Sequence, residues 1–162
     1  VELWRLRTAK DYRFLVAGDG PEAGALRSRV ARAGVEALFT MLGMVEDMPP
    51  LLAEADVVVV PSQAEGIPLI VLEAFAVGRP VVCARAGAAA EAVDAETGVL
   101  IDPGPQEAAR FAAALHQLLD DPARRRSMGE AARRKIETDY SRARAQQAYR
   151  DVLEVADRFT FR

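Results

Sequence analysis

Two glutamates, Glu65 and Glu73, bracket the most informative segment of this sequence, with seven residues between them. If the whole segment were helical, they would lie about 12 Å apart, which is too far for the carboxyl pair of a glycoside hydrolase. Carboxylates at that spacing can accept hydrogen bonds from hydroxyl groups at the two ends of one elongated polar ligand. We expect Glu73, about two turns into a helix, to hold a diol such as a ribose, and Glu65 to meet another hydroxylated group.

The residues between the two glutamates predict the start of that helix. The valines at 57–60 predict a buried parallel strand just before it, because continuous β-branched residues need cover on both faces of a sheet. Pro68 suits the first turn of a helix, where a missing N–H costs no hydrogen bond. Free backbone donors near Gly66, Ile67 and Leu69, at the positive end of the helix dipole, therefore predict a seat for an anion such as a phosphate.

The rest of the chain predicts an α/β domain with a doubly wound, parallel, Rossmann-like sheet followed by C-terminal helices. The predicted strands are 12–17, 38–42, 57–60, 81–84 and 99–101. The predicted helices are 21–33, 49–55, 65–77, 88–93, 107–119, 122–138 and 142–156. Ligands of such sheets bind at the carboxyl ends of the strands. The loops expected to gather on that rim are 18–20, 43–46, 62–68, 85–91 and 102–105.

Composition excludes several classes of function. The chain has 162 residues, of which 51% are hydrophobic, and a net charge of -3, which suits one domain and does not suggest a partner such as nucleic acid. A single cysteine, Cys83, and a single histidine, His116, argue against a disulfide and against a metal site. No apolar run is long enough to span a membrane, so the chain reads as soluble. It begins at Val1 with a pattern resembling the end of a helix, which suggests a fragment.

Two glycine-containing turns follow predicted strands. Gly18-Asp19-Gly20, with Gly24, suggests a dinucleotide-binding turn, but the spacing to the third glycine does not fit that motif. We favour a tight turn that admits a neighbouring ligand. A turn of small residues at 87–90, ahead of another predicted helix, is interpreted equally well as a phosphate or sugar contact and as a plain connection.

These motifs together resemble the retaining, nucleotide-sugar-dependent glycosyltransferases of family 4, which have the two-domain GT-B fold. The resemblance covers almost the whole chain and corresponds to the C-terminal, donor-binding domain. The matching segments are 16–21, 42–45, 55–62, 65–68, 72–74, 78–82, 98–100 and 121–122.

The resemblance implies a role for each matching residue. Glu73 would hold the ribose, and Glu65 would contact the donor sugar as the catalytic-site residue. The backbone of Gly66, Ile67, Pro68 and Leu69 would receive the diphosphate. The turn at Gly18 would lie beside the donor, and the loop of Gly43, Met44 and Val45 would lie against the base. No metal or other cofactor is expected, because helix dipole and basic side chains stabilise the leaving diphosphate in this family.

The sequence departs from the family pattern in two places. The basic residues that bind phosphate in the family, together with the first strand of the donor domain, would lie upstream of Val1. Arg85 is a weaker candidate for a cation on the rim. The segment Gly87-Ala88-Ala89-Ala90-Glu91 keeps the first glycine and the acid of the corresponding family stretch but lacks its proline.

We therefore expect residues 1–162 to be the donor-binding domain of a glycosyltransferase, using a UDP- or GDP-sugar and an unknown acceptor. Without the missing N-terminal domain, the chain should be inactive. The expected location is the cytoplasm, with any peripheral membrane association residing in the missing domain. One alternative is a sugar-nucleotide isomerase (epimerase) of the same architecture. Another is a non-catalytic nucleotide-sugar-binding or dimerisation module that self-associates through an exposed sheet edge and through Leu3, Trp4 and Leu6.

Overall fold

The first strand, β1 (Phe14–Ala17), pairs in parallel with β2 (Phe39–Gly43), and helix α1 (Ala23–Ala33) connects the two. This arrangement comes from a computed structural model, which describes residues 12–62 and 66–157 and only the backbone of 154–157. The rings of Phe14 and Phe39 stack across the pair with their centroids 4.7 Å apart. A single 3-10 turn, Glu36–Leu38, leads into β2.

The second half of the chain builds a three-stranded parallel sheet. Its elements follow in the order α2 (Met48–Glu54), β3 (Val58–Val60), α3 (Leu69–Ala76), β4 (Val81–Ala84), α4 (Ala89–Ala92) and β5 (Gly98–Ile101). The strand order is β3-β4-β5, so β4 is central and bonded on both sides. The predicted alternation of parallel strands and helices is confirmed.

The five strands of the described residues form two sheets rather than one. Among the described residues, no backbone pairing joins β1 to β3, so each of these strands has an edge without a partner strand. Burial follows from that arrangement: the β4 side chains are almost fully buried, whereas Val59, in the middle of β3, is 38% exposed. The prediction that the valine strand is buried on both faces is therefore wrong at Val59, because β3 lies at a sheet edge.

Three helices complete the described chain: α5 (Glu107–Asp120), α6 (Pro122–Asp139) and α7 (Arg142–Asp157), as predicted. The carboxylate of Asp121 accepts a hydrogen bond from the Arg124 N–H at 2.9 Å and so caps the start of α6. Helix α5 packs on one face of the three-stranded sheet, through Leu115 and Leu118. Helices α3, α4 and the second half of α6 share a hydrophobic cluster on the other face.

Helix α7 exposes an apolar stripe. Tyr149, Val152 and Leu153 are between 63% and 74% exposed, so no other part of the described chain covers them. Tyr140, which precedes α7, does pack against the core cluster. Leu3, Trp4 and Leu6, through which self-association was expected, lie outside the described residues.

Candidate functional site

Helix α3, the first helix after β3, begins without a capping side chain. Its first helical residue is Leu69, and the preceding Pro68 is the N-cap, with φ −64° and ψ 116° and no side-chain hydrogen bond. We expected Pro68 within the first turn, but its ψ is extended, so it stands one position earlier. Proline cannot cap with its side chain, and the first N–H groups of a helix have no acceptor within it. The N–H of Val71 donates to the Pro68 carbonyl oxygen at 3.0 Å, so the N–H groups that precede it are the ones an external anion could meet.

Glu73 lies on the exposed face of this helix. It is the fifth residue of α3, so its Cα lies about 6 Å along the axis from that of Leu69, one turn rather than the expected two. Leu69 is 72% exposed and shares this face, whereas Val71 and Phe75 are completely buried on the other. The helix start and an exposed carboxylate thus belong to one open surface.

Glu65 lies in residues 63–65, outside the described residues. Its assignment as the catalytic-site residue, and its separation from Glu73, stay predictions. Gly66 and Ile67, which follow directly, are described: Gly66 is exposed, while Ile67 packs against the core cluster beside α3.

The structure brings together two of the predicted donor-binding turns. The N–H of Gly18 donates to the carbonyl oxygen of Gly43 at 2.7 Å, just beyond the carboxyl ends of β1 and β2. Both residues have positive φ, 127° and 68°, a conformation that glycine adopts without strain. Met44 is well exposed and Val45 is half-buried. The role of this loop against a nucleotide base stays a prediction.

Arg85 is engaged at the opposite side of the rim. Its Nε donates to Oδ1 of Asp102 at 2.5 Å, so the carboxylate at the end of β5 neutralises this guanidinium. Arg110 of α5 donates from Nη2 to the main-chain carbonyl of the same aspartate at 2.5 Å. The charge of Arg85 is therefore already compensated by Asp102 rather than left for a phosphate. This agrees with the expectation that Arg85 is a weaker candidate for a phosphate-binding cation.

A second set of contacts, which the sequence did not predict, ties α6 to the segment between β4 and β5. Lys135 Nζ donates to Asp94 Oδ2 at 2.5 Å, and the Tyr140 hydroxyl donates to the main-chain carbonyl of Glu91 at 3.3 Å. Burial raises the pKa of Asp94, but hydrogen bonds from Lys135, Thr97 and the Glu96 N–H lower it further, leaving it below its usual value. The partners are 41 and 49 residues apart, so no local pattern could have revealed these contacts.

Two shallow cavities of about 410 and 580 Å³ lie elsewhere, one beside α4 and β5 and one against the start of α6. Neither is lined by residues 66–69, of which Gly66 and Leu69 are exposed and Pro68 is buried. In the part of the chain that the structure describes, no helix is both long and apolar enough to cross a bilayer. Within the same residues, no group of three or more His, Cys, Asp or Glu side chains is placed to hold a metal ion.

Comparison with known proteins decides the family. The family described as "Glycosyl transferases group 1" matches residues 2–121. The chain belongs to this family. Among curated relatives, it is 41% identical over 122 residues to a D-inositol 3-phosphate glycosyltransferase from an Arthrobacter species, covering 74% of this chain and 28% of that protein.

A second relative of this chain is the GDP-mannose-dependent monoacylated alpha-(1-6)-phosphatidylinositol monomannoside mannosyltransferase of Corynebacterium glutamicum. It is 33% identical over 140 residues, covering 81% of this chain and 36% of that protein. Among solved structures, Anabaena HepE in complex with UDP superimposes with a TM-score of 0.82 and 25% identity. The match covers 95% of this chain and 43% of that one, so the chain spans well under half the length of the proteins it matches.

The expected fold is confirmed: this is the C-terminal, Rossmann-like domain of a GT-B glycosyltransferase. Membership of family 4 and retention of anomeric configuration stay predictions. The roles of individual residues at the start of α3 also stay predictions, and they are developed below.

Proposed function

We propose that this chain is the donor-binding domain of a family 4 glycosyltransferase, which transfers a sugar from UDP or GDP to an acceptor with retention of configuration. One observation carries the proposal: the uncapped start of α3 shares an exposed face with Glu73, one turn further on. A relative named for GDP-mannose and a neighbour solved with UDP support a nucleoside diphosphate as the ligand of this domain.

The diphosphate would lie at the start of α3. The N–H groups of Gly66, Ile67 and Leu69 and the positive end of the helix dipole favour negative charge there. When the bond between the anomeric carbon and the diphosphate oxygen breaks, the electron pair goes to the diphosphate. Donors already in place stabilise that developing charge without reorganisation. The new bond forms between the anomeric carbon and the acceptor oxygen, whose proton passes to the diphosphate oxygen that has gained the electron pair.

Glu73 would orient the nucleoside. An ionised carboxylate has enough acceptor sites for both hydroxyls of a ribose. Its residue lies about 6 Å along the axis from the helix start, a separation comparable to that between a diphosphate and the ribose hydroxyls of the same nucleotide. Glu65, just before Gly66, would meet the hydroxyls of the sugar on the other side. The loop of Gly43, Met44 and Val45, in which Met44 is well exposed, would lie against the base.

The acceptor would be bound by a further domain, because transfer requires a second wall that positions the acceptor and excludes water. We expect this chain alone to bind donor without turning it over, and to do so without a divalent metal. The cytoplasm is the compartment in which nucleotide-sugar donors would meet it. Family membership favours group transfer over the isomerase alternative, and the exposed stripe of α7 keeps self-association as an outcome that light scattering can check.

Titration calorimetry tests the proposal. Binding heats for UDP, GDP and ADP are measured on this chain with and without EDTA, and we expect one of the first two to bind equally well in both. Glu73→Gln should weaken that nucleotide by roughly five- to fiftyfold, because it removes charge-assisted hydrogen bonds to the ribose. Glu130→Gln, on the exposed face of α6, is the matched control and should have no effect. No heat from any nucleotide would refute donor binding by this domain.

A further inference from the structure

Along its described side chains, helix α7 is exposed on every side. Each side chain from Arg142 to Leu153 is exposed, and the two hydrophobic clusters of the described residues include none of them. A helix of 16 residues is marginal in water by itself, because most of the stability of a protein helix comes from packing an apolar face. Within the described chain, α7 therefore lacks the surface that such a helix needs.

The start of α7 is fixed to the domain. Tyr140 packs against the core cluster, and its hydroxyl donates to the main-chain carbonyl of Glu91 at 3.3 Å. The Oγ of Ser141 accepts a hydrogen bond from the Arg144 N–H at 3.3 Å and so caps the first turn. The helix is therefore anchored at one end and exposed beyond it.

The helix has an apolar face and a polar face. Tyr149, Val152 and Leu153 form one stripe on a helix with 3.6 residues per turn, and their exposed fractions are 74%, 66% and 63%. Gln147 and Asp151 occupy the opposite side, where Nε2 of Gln147 donates to Oδ1 of Asp151 at 2.8 Å. An apolar stripe on an otherwise polar helix fits the apolar stripe of a second helix.

The charges of α7 are divided between its two halves. Residues 142–149 contain two arginines and no acid, which gives +2, whereas residues 150–157 contain one arginine and three acids, which gives −2. Two parallel copies of the helix would bring like charges together, and two antiparallel copies bring opposite charges together. Tyr149 and Val152 lie near the middle of Arg142–Asp157, so the antiparallel arrangement also places these two apolar residues level with each other.

We propose that α7 is the interface between two copies of this chain, which pair antiparallel about a two-fold axis near the middle of the helix. Each copy then supplies the same surface, as in other two-fold dimers. The apolar stripe supplies the buried area, and the two charged halves fix the orientation. A helix of 16 residues is about 24 Å long, so this contact is smaller than a standard interface, and we expect a dissociation constant of roughly 10 to 500 µM.

Sedimentation equilibrium over concentrations from about 5 µM to about 1 mM tests the proposal on this chain, and we expect a monomer–dimer equilibrium. Val152→Glu should raise the dissociation constant at least about tenfold, because it places a charge in the apolar contact. Gln147→Glu makes the same change of charge on the polar face and should change the constant by less than about twofold. Both positions are exposed in the described chain, so neither substitution should alter thermal unfolding of the domain.

Salt dependence reports the orientation of the two helices. Raising NaCl from about 50 to about 500 mM screens the charges, so the antiparallel dimer should weaken several-fold, whereas a parallel dimer would tighten. Hydrogen exchange locates the contact. Amides at 142–153 should exchange more slowly as the protein concentration rises, while those of β4 stay unchanged.

Each outcome bears on the proposal. A dimer that is weakened by Val152→Glu and by salt, but not by Gln147→Glu, supports it. A monomer at every concentration refutes it, and so does a dimer that Val152→Glu leaves intact or that both substitutions weaken equally. A dimer that tightens as salt is added refutes the antiparallel arrangement.

Discussion

Gly78 and Gly129 meet backbone to backbone where the end of α3 crosses α6. A Cβ added at Gly129 would lie 2.1 Å from the Gly78 carbonyl oxygen, a distance that no packing tolerates, and Gly78 itself has φ 70°. The close approach places α6 against α3, the helix at which we place the donor. Two residues without side chains therefore set the distance between the donor helix and the helix that supports it.

We expect Gly129→Ala to lower the free energy of unfolding by about 1 to 3 kcal/mol, because the two helices must separate to admit the methyl group. Thermal and urea unfolding measure the loss. Gly24→Ala is the matched control, since a Cβ there meets nothing within 4 Å and α1 should gain about 1 kcal/mol from the better helix former. Equal behaviour of the two variants would contradict the contact.

Arg125 caps the end of α5 from the first turn of α6. Its Nη1 donates to the carbonyls of Leu118 and Leu119 at 2.7 and 2.8 Å, and Nη2 donates to Asp56 at 3.2 Å. Arg125→Met should cost about 1 to 3 kcal/mol, because it removes a charged donor from the two partly buried carbonyls, of which that of Leu118 keeps only the Asp121 N–H at 3.2 Å. Arg126→Met, on the exposed surface, should cost less than about 0.5 kcal/mol in the same urea titration. A similar loss in both would show that charge rather than capping is responsible.

The stability of the domain should depend on Asp94 at acid pH. Because the pKa of Asp94 is lower in the folded chain than in the unfolded chain, its stabilisation is fully present above the unfolded value of about 3.9. It is lost as the pH falls through the lower folded value. Urea titrations between about pH 3 and pH 7 should therefore give a flatter curve below about pH 4 for Asp94→Asn than for the unmodified chain. Asp139→Asn is the control. If its stability depended on pH as weakly as that of Asp94→Asn, the acid-induced loss of stability could not be assigned to Asp94.

A carboxylate introduced at the start of α3 should separate stability from binding. Leu69→Asp places a negative charge at the positive end of the helix dipole, so we expect unchanged or slightly higher stability, by up to about 1 kcal/mol. The same charge competes with a diphosphate and should abolish nucleotide binding in calorimetry. Leu69→Asn, which carries no charge, should bind far better. Undiminished binding by Leu69→Asp would place the diphosphate elsewhere.

The sequence predicted the strands and helices because local signals mark their ends. Pro80 directly precedes β4, and the predicted bounds of that strand, 81–84, are confirmed. The predicted helix 65–77 began earlier than α3, whose first residue is Leu69, and Pro68 was placed in the first turn because a proline fits both that turn and the N-cap. Val59 was misjudged because whether a strand is central or at an edge depends on pairing between distant segments, which periodicity does not report.

The proposed donor residues could be predicted because helix start, proline and glutamates lie within nine positions of one another. The supporting contacts could not. Lys135 in an arginine-rich helix reads as a solvated surface residue, and only the folded chain shows that it is mostly buried against Asp94. The glycine at 129 reads as an ordinary helix-weakening residue until its contact with Gly78 is seen.

The unequal burial of the two sheets has a dynamic consequence. In the β1–β2 portion, up to residue 47, the buried hydrophobic side chains among the described residues are Val30 and Val35, which are 9% and 5% exposed, and a two-stranded pair is marginal by itself. Amide protons of β1 and β2 should therefore exchange with deuterium through frequent local openings. Those of β4 should exchange only when the whole domain unfolds. The β1–β2 side of the rim would therefore open often while the side formed by β3, β4 and β5 stays closed. A ligand that contacts both sides would reduce that motion on binding.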